Sequence, residues 1–102
     1  KRMATRKARE IKEGLTKKGF IAVQRDHTYL FFSVEGRKSG IHTKISHGRS
    51  EYGDNLLSFV AKELHLSRKQ LDDLLDCPLS YEGYLSVLKE KKVITTQDEK
   101  NE

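Results

Sequence analysis

The chain has 102 residues, of which 35% are hydrophobic and 34% charged, so it is expected to form one domain with a thin core. Its single cysteine, Cys77, excludes a disulfide framework and a cysteine-based zinc site. No apolar run approaches the roughly 20 residues that cross a bilayer, and the basic start lacks the apolar core of a secretory signal. We therefore expect a cytoplasmic protein without a membrane partner.

The formal net charge of +5 is unevenly distributed along the chain. Residues 1–50 hold 13 Lys and Arg against 4 Asp and Glu, whereas residues 51–102 hold 7 against 11. A basic half of this kind attracts a polyanion, most commonly a nucleic acid. A solvated surface that only maintains solubility accounts for the charge equally well.

The first predicted element is a helix over residues 5–18. Ala8, Ile11 and Leu15 recur at helical spacing, and Gly19 is a suitable stop. Three strands rich in aromatic and β-branched residues follow: Phe20–Arg25, Thr28–Glu35 and Ile41–Ser46. Asp26 favours a tight turn between the first two strands, and the glycine-bounded segment Glu35–Gly40 reads as a hairpin loop.

Alternation along the second and third strands assigns their side chains to two faces. Each of these two strands has a set of apolar residues at alternate positions. If both sets lie on one face, the numbers of two residues that pair across the strands must have an odd sum, as for Val34 opposite Ile41. The apolar sets are Leu30, Phe32 and Val34 on the second strand and Ile41, Thr43 and Ile45 on the third. The other face then carries Tyr29, Phe31, Ser33, His42, Lys44 and Ser46.

The second half of the chain is predicted to be helical. Asp54 is a good N-cap for a helix through Leu64, and a capping box over residues 67–70 opens a short helix that Pro78 ends. Ser80 can cap a last helix through Leu88. The sequence thus predicts an α+β fold: an α-β-β-β-α core with a three-stranded antiparallel sheet, plus C-terminal helices. We expect residues 1–102 to form a single domain, with a core at about 5–66, a helical extension at about 67–94 and a polar tail at 95–102.

His27 is the main candidate for chemistry, because an imidazole there opens an aromatic strand in the basic half. An ordinary turn residue is the plain alternative. A metal site built from His27, His42 and His47 is disfavoured, since the nearby Lys and Arg residues oppose a cation, so neither a metal nor another cofactor is expected. The chain contains neither a Gly-x-Ser-x-Gly elbow nor a phosphate-binding loop motif.

Cleavage of RNA by its own 2′-hydroxyl needs no metal, only a proton-transfer group and cations beside the phosphate. His27 is the candidate acid or base. Arg25, Lys44 and Arg49 are candidate phosphate contacts, and Tyr29 and Phe31 are candidate stacking surfaces. Two more histidines are candidate RNA contacts with structural alternatives: His42 as a solvated sheet residue and His47 as a loop packing residue.

Several short stretches over residues 8–66 follow a common order. A helix ends in Lys17-Lys18-Gly19-Phe20, His27 stands two residues before an aromatic residue, and Gly36-Arg37 lies in a hairpin. The third strand ends in Lys44-Ile45-Ser46-His47-Gly48, and a leucine-rich helix follows. This order resembles the HicA-type toxins, a family of small mRNA interferases.

That resemblance implies a fold like the double-stranded-RNA-binding domain and metal-independent RNA cleavage. His27 matches the family's catalytic histidine, and His47 matches the histidine that commonly ends the third strand. The partner implied is a cognate antitoxin protein. The chain departs from the family by having Arg25-Asp26 where Gly-Ser is usual, and by extending over residues 67–94. A non-catalytic RNA-binding or protein-interaction module of the same fold is the alternative.

Overall fold

The computed structural model describes residues 5–46, 51–76 and 78–93. His47, Arg49 and Cys77 lie outside these residues. The elements in chain order are β1 (Arg6–Lys7), α1 (Ala8–Lys17), β2 (Phe20–Gln24), β3 (Thr28–Val34), β4 (Arg37–Ile45), β5 (Glu51–Tyr52), α2 (Asp54–Glu63), α3 (Arg68–Asp76) and α4 (Tyr81–Glu90). The predicted α+β class is confirmed, and the antiparallel three-stranded sheet has the order β2-β3-β4.

The chain begins with a short strand where a helix was predicted. Arg6 and Lys7 pair with Tyr52 and Glu51 in a second, two-stranded sheet, so α1 starts at Ala8 and not at residue 5. At the other end of α1, Gly19 has a φ of +93°, which a residue with a side chain adopts only with strain. The predicted stop is therefore confirmed.

The hairpin between β3 and β4 is tighter than predicted. Glu35 and Gly36 have φ values of 53° and 81°, as a two-residue turn with the twist of a β-hairpin requires. The predicted loop Glu35–Gly40 is wrong, because β4 already begins at Arg37 and pairs with Val34.

An irregularity in β4 changes the register within this hairpin. Phe31 pairs with His42, but Val34 pairs with Arg37 and not with Ile41 as predicted. Between these pairs, the Ser39 hydroxyl donates to the Phe32 carbonyl at 2.8 Å. Between these pairs β4 has two more residues than β3. Because this number is even, the side chains of β4 keep the same assignment to the two faces before and after the irregularity. Most of the predicted inner face is accordingly buried, Val34 only in part: Leu30, Phe32, Ile41, Thr43 and Ile45 are each at most 5% exposed.

All four helices contribute to the core on the inner face of the sheet. Tyr84 of α4 is fully buried, with its ring centroid 4.7 Å from that of Phe32 in an edge-on contact and 5.8 Å from that of Phe20. Side chains of the other helices join the same cluster: Ile11 and Leu15 of α1, Leu57 and Val60 of α2, and Leu71 and Leu74 of α3. Helices α3 and α4 therefore share one core with the sheet.

Two of the three predicted helix N-caps are confirmed. The N-cap of α2 is Gly53 and not Asp54, which lies in the first turn and forms an ion pair with Arg68. The capping box before α3 is confirmed, because the Ser67 hydroxyl accepts from the Gln70 N–H at 3.1 Å. At α4, Ser80 accepts from the Gly83 N–H at 3.0 Å, as predicted.

Two cations, one before α1 and one after it, contact α3 and the segment that follows α3. Lys18 is only 9% exposed, and its ammonium donates to the carbonyls of Leu74 at 2.6 Å and Leu79 at 2.8 Å. Arg6 forms ion pairs with Asp72 and Asp76 at 3.1 and 2.9 Å. The hydrogen bond from Arg6 holds the pKa of Asp76 below its usual value.

Candidate nucleic-acid interface

The sheet presents its second face away from the core. We call this the outer face, and its register places Val23, Tyr29 and Lys44 in one cross-strand row. The neighbouring row holds Ile21, Phe31 and His42. None of these side chains is fully buried, and none is acidic. The face therefore combines apolar, aromatic and cationic groups.

Three rings lie side by side on the outer face. The centroids of Tyr29 and Phe31 are 6.3 Å apart with an interplanar angle of 23°, and those of Phe31 and His42 are 5.1 Å apart at 26°. His42 Nδ1 lies 3.1 Å from the Gly40 carbonyl, a contact in which Nδ1 is the donor. The three rings form an aromatic cluster of the kind on which bases stack.

Cations accompany the rings. The Arg25 guanidinium carbon lies 5.8 Å from the Tyr29 centroid, and the Lys38 ammonium lies 4.9 Å from the Phe31 centroid. Both distances are within the range of a cation–π contact. Lys44 is paired with Tyr29 across the strands.

These cations differ from those on the helical side of the molecule. Arg6, Arg68 and Lys69 each form an ion pair with an aspartate of α3. Among the described residues, no carboxylate forms an ion pair with Arg25, Lys38 or Lys44. The positive charge at the outer face is consequently available to an anionic ligand.

His27 lies at the end of the aromatic cluster, in the three-residue turn between β2 and β3. Its ring centroid is 6.5 Å from that of Tyr29. The Arg25 N–H donates to the His27 carbonyl at 2.8 Å, and the His27 N–H donates to Asp26 Oδ1 at 3.0 Å. One oxygen of Asp26 is thus engaged by the backbone of the turn. The ring is half-buried, and its Nδ1 is buried.

Most of the predicted site residues come together at this face. Tyr29, Phe31, His42 and Lys44 lie on it, and Arg25 and His27 flank it in the adjoining turn. His47 and Arg49 are outside the described residues, so their predicted contacts stay predictions. Lys38 was missed because it was assigned to a loop. Its placement required knowing that β4 begins at Arg37, which puts Lys38 on the same face as His42.

No family model, curated protein or solved structure matches this chain. Within residues 5–46, 51–76 and 78–93, no three His, Cys, Asp or Glu side chains are grouped so that they could hold a metal ion. Every helix in the same ranges is too short to cross a bilayer. The outer face is therefore interpreted from its own chemistry.

Proposed function

We propose that the outer face binds single-stranded RNA and that the protein is a metal-independent endoribonuclease in which His27 acts as general acid/base. The observation that carries the proposal is the aromatic cluster of Tyr29, Phe31 and His42 with Arg25 and Lys38 beside its rings. Stacking surfaces bind bases and cations bind phosphates, and a single strand offers both groups together.

The rings favour unpaired RNA over a duplex. Bases in a duplex already stack on one another, and proteins recognise A-form RNA mainly through phosphates and 2′-hydroxyls. Tyr29 and Phe31 are partly exposed on the outer face and offer ring surface that only a splayed-out base can use. We therefore take a flexible single strand as the ligand, although the resemblance is to a duplex-binding fold.

The position of His27 supports cleavage by the neighbouring 2′-hydroxyl. Nε2 of neutral His27 takes the 2′-hydroxyl proton as the bond from O2′ to phosphorus forms. The bond from phosphorus to the 5′-oxygen then breaks, the leaving oxygen takes up a proton from water, His27 releases the proton that it took to solvent, and a 2′,3′-cyclic phosphate remains. Arg25 and Lys44 provide positive charge for the developing phosphorane.

The three-stranded sheet β2-β3-β4 between α1 and α2, with the short β5 before α2, is compatible with a relationship to the HicA-type toxins, whose fold resembles the double-stranded-RNA-binding domain. Arg25-Asp26 in place of Gly-Ser is compatible with this role, because Asp26 Oδ1 accepts from the backbone of His27. The protein partner implied by the relationship is an antitoxin that covers the outer face.

The second candidate is an RNA-binding module without catalysis. The stacking rings and their cations suffice for binding, whereas cleavage depends on His27 in addition. Both functions use the same surface. They are distinguished by whether bound RNA is cleaved.

The test of catalysis is incubation of the purified protein with an unstructured RNA in EDTA. We expect products with cyclic phosphate ends, formed about 10²–10⁴-fold more slowly by His27→Asn because general acid/base catalysis is lost. His65→Asn is the matched control, since His65 is an exposed histidine at the end of α2. Equal cleavage by His27→Asn would contradict the catalytic role, and binding without cleavage by the wild type would support the second candidate.

The test of the binding face is the affinity for the same RNA, measured by fluorescence anisotropy. Phe31→Ala should weaken binding about 5- to 100-fold, the loss expected when one stacked base loses its ring. Phe59→Ala is the matched control, because Phe59 is 57% exposed but lies on α2. Equal losses for the two variants, or tighter binding of a duplex, would show that the outer face is not the binding surface.

A further inference from the structure

The two edges of the three-stranded sheet differ in how they are protected against pairing. The β4 edge carries Arg37, Lys38 and Lys44 and is interrupted near Ser39. The β2 edge, Phe20–Gln24, contains no charged residue, no proline and no bulge. Charges, prolines and bulges are the devices by which proteins prevent edge pairing. The β2 edge lacks all three.

The backbone of β2 has hydrogen-bonding groups directed to this edge. Gly19 accepts from Ser33, and the Arg25 N–H donates to His27, so the odd-numbered residues of β2 bond to β3. In an antiparallel ladder the alternate residues then direct their N–H and C=O groups outward, and these are Phe20, Ala22 and Gln24. Among the described residues, no strand pairs with this edge.

The side chains on β2 leave the edge accessible. Ala22 lies on the same face as the helices and is nevertheless exposed, so no helix of the described part of the chain covers the edge at its centre. Ile21 points to the outer face and is 38% exposed. The edge therefore offers both backbone groups and an apolar side chain.

We propose that β2 pairs antiparallel with β2 of a second copy of this chain, centred on Ala22, to give a six-stranded sheet. In this register Ile21 lies opposite the partner's Val23, and Ala22 lies opposite the partner's Ala22. Ile21 and Val23 fall in non-hydrogen-bonded pairs, where facing side chains are closest, so two β-branched pairs form on the outer face.

The charges near the edge fit a second copy. Arg25 lies opposite the partner's Gly19, so the pairing brings no two cations face to face. The two-fold axis repeats each contact, and the pairing is therefore self-complementary. The interface is small and each copy carries a net charge of +5, so we expect a weak dimer with a Kd on the order of 10–100 µM.

The first test is sedimentation of the full chain between about 10 µM and about 1 mM. The wild type should associate to a dimer over this range. Ala22→Pro should raise the Kd at least about tenfold, because proline removes an N–H that faces outward and that β3 does not use. Ile21→Lys should do the same by placing charge at the interface. Ser58→Lys, which adds the same charge on the exposed side of α2, should leave the Kd unchanged.

The second test is amide hydrogen exchange followed residue by residue. The amides of Ala22 and Gln24 should become more protected as concentration rises, whereas those of Ile21 and Val23 should be protected at every concentration. This measurement tests pairing through β2 in the wild type, so it remains valid even if Ala22→Pro reduces the stability of the fold. A wild-type monomer at about 1 mM, or a dimer that survives Ile21→Lys, would overturn the proposal.

Discussion

Tyr84 is the residue that most clearly joins the C-terminal helices to the sheet. Its ring contacts those of Phe20 and Phe32, and its hydroxyl donates to the Leu64 carbonyl at 2.9 Å. Burial raises the pKa of Tyr84 above its ordinary range, because the phenolate would lose its hydration. One side chain therefore combines ring packing with a buried hydrogen bond, and its burial favours the protonated hydroxyl.

Removing the Tyr84 hydroxyl should lower stability at neutral pH. Tyr84→Phe leaves the Leu64 carbonyl without this donor, and we expect a loss of about 1–2 kcal/mol in the free energy of unfolding measured with urea. Tyr81→Phe is the control, since its hydroxyl donates to the Ser33 carbonyl at 3.2 Å in a less buried setting. The loss in that variant should be smaller.

The free energy of unfolding of the wild type, compared with that of Tyr84→Phe, should depend on pH. The pKa of Tyr84 is higher in the folded state than its unfolded value of about 10, so its contribution is complete below about pH 10 and declines above it. Relative to Tyr84→Phe, the wild type should lose stability by up to about 1.4 kcal/mol per pH unit in that window. Parallel stability curves for the two proteins would show that Tyr84 is not the group responsible.

At the scale of elements, the sequence predicts the long elements well and the short ones poorly. The strands of the main sheet and all four helices each correspond to a predicted element, because burial of one face enforces the pattern, although α1 and β4 begin at other residues than predicted. The two-residue strands β1 and β5 have no periodicity to detect, and they pair residues that are far apart in the chain.

The β3–β4 hairpin shows why register is harder to predict than faces. Glu35 occupies a positive-φ position that sequence rules reserve for glycine or asparagine, so the turn looked longer than it is. At the bulge, the Ser39 hydroxyl donates to the Phe32 carbonyl and accepts from the Ile41 N–H. No pattern of hydrophobicity in the sequence reveals these hydrogen bonds. Face alternation alone was enough to place most residues of the candidate site on one face, and Lys38 was missed because it was assigned to the hairpin loop.

Helices α3 and α4 should be required for folding. A chain ending at residue 66 removes the buried Leu71, Leu74 and Tyr84 and exposes Phe20 and Phe32. We expect it to lack a cooperative thermal transition by circular dichroism and to bind a hydrophobic dye. A chain ending at residue 94 is the control. Cooperative unfolding of the chain ending at residue 66 would show that residues 67–94 are a dispensable addition.

Across the whole molecule, charge is separated by side. On the helical side, Arg6, Arg68 and Lys69 are neutralised by aspartates of α3, whereas the cations of the outer face form no ion pair among the described residues. The described cations therefore differ by side: those of the outer face lack a carboxylate partner, whereas these three on the helical side have one.

Salt should affect the two proposed associations in opposite directions. Three phosphate contacts at the outer face predict that log K for single-stranded RNA falls with log salt at a slope of about −2. Lys38→Gln should make this slope shallower by about 0.7, and Lys69→Gln should leave it unchanged because Lys69 pairs with Asp73. Self-association should strengthen with salt, since screening reduces repulsion between equal charges. A salt-independent RNA affinity would contradict binding through the outer face.

The reactivity of the Lys18 amine should report whether the contact between α1 and α3 is intact. An ammonium held against the carbonyls of Leu74 and Leu79 is shielded from reagents that acylate amines, while exposed lysines such as Lys69 react freely. Acylation of Lys18 requires the end of α3 to separate from the end of α1. The rate of that modification, followed by mass spectrometry of the full chain, therefore measures how often the end of α3 separates from the end of α1, without a mutation.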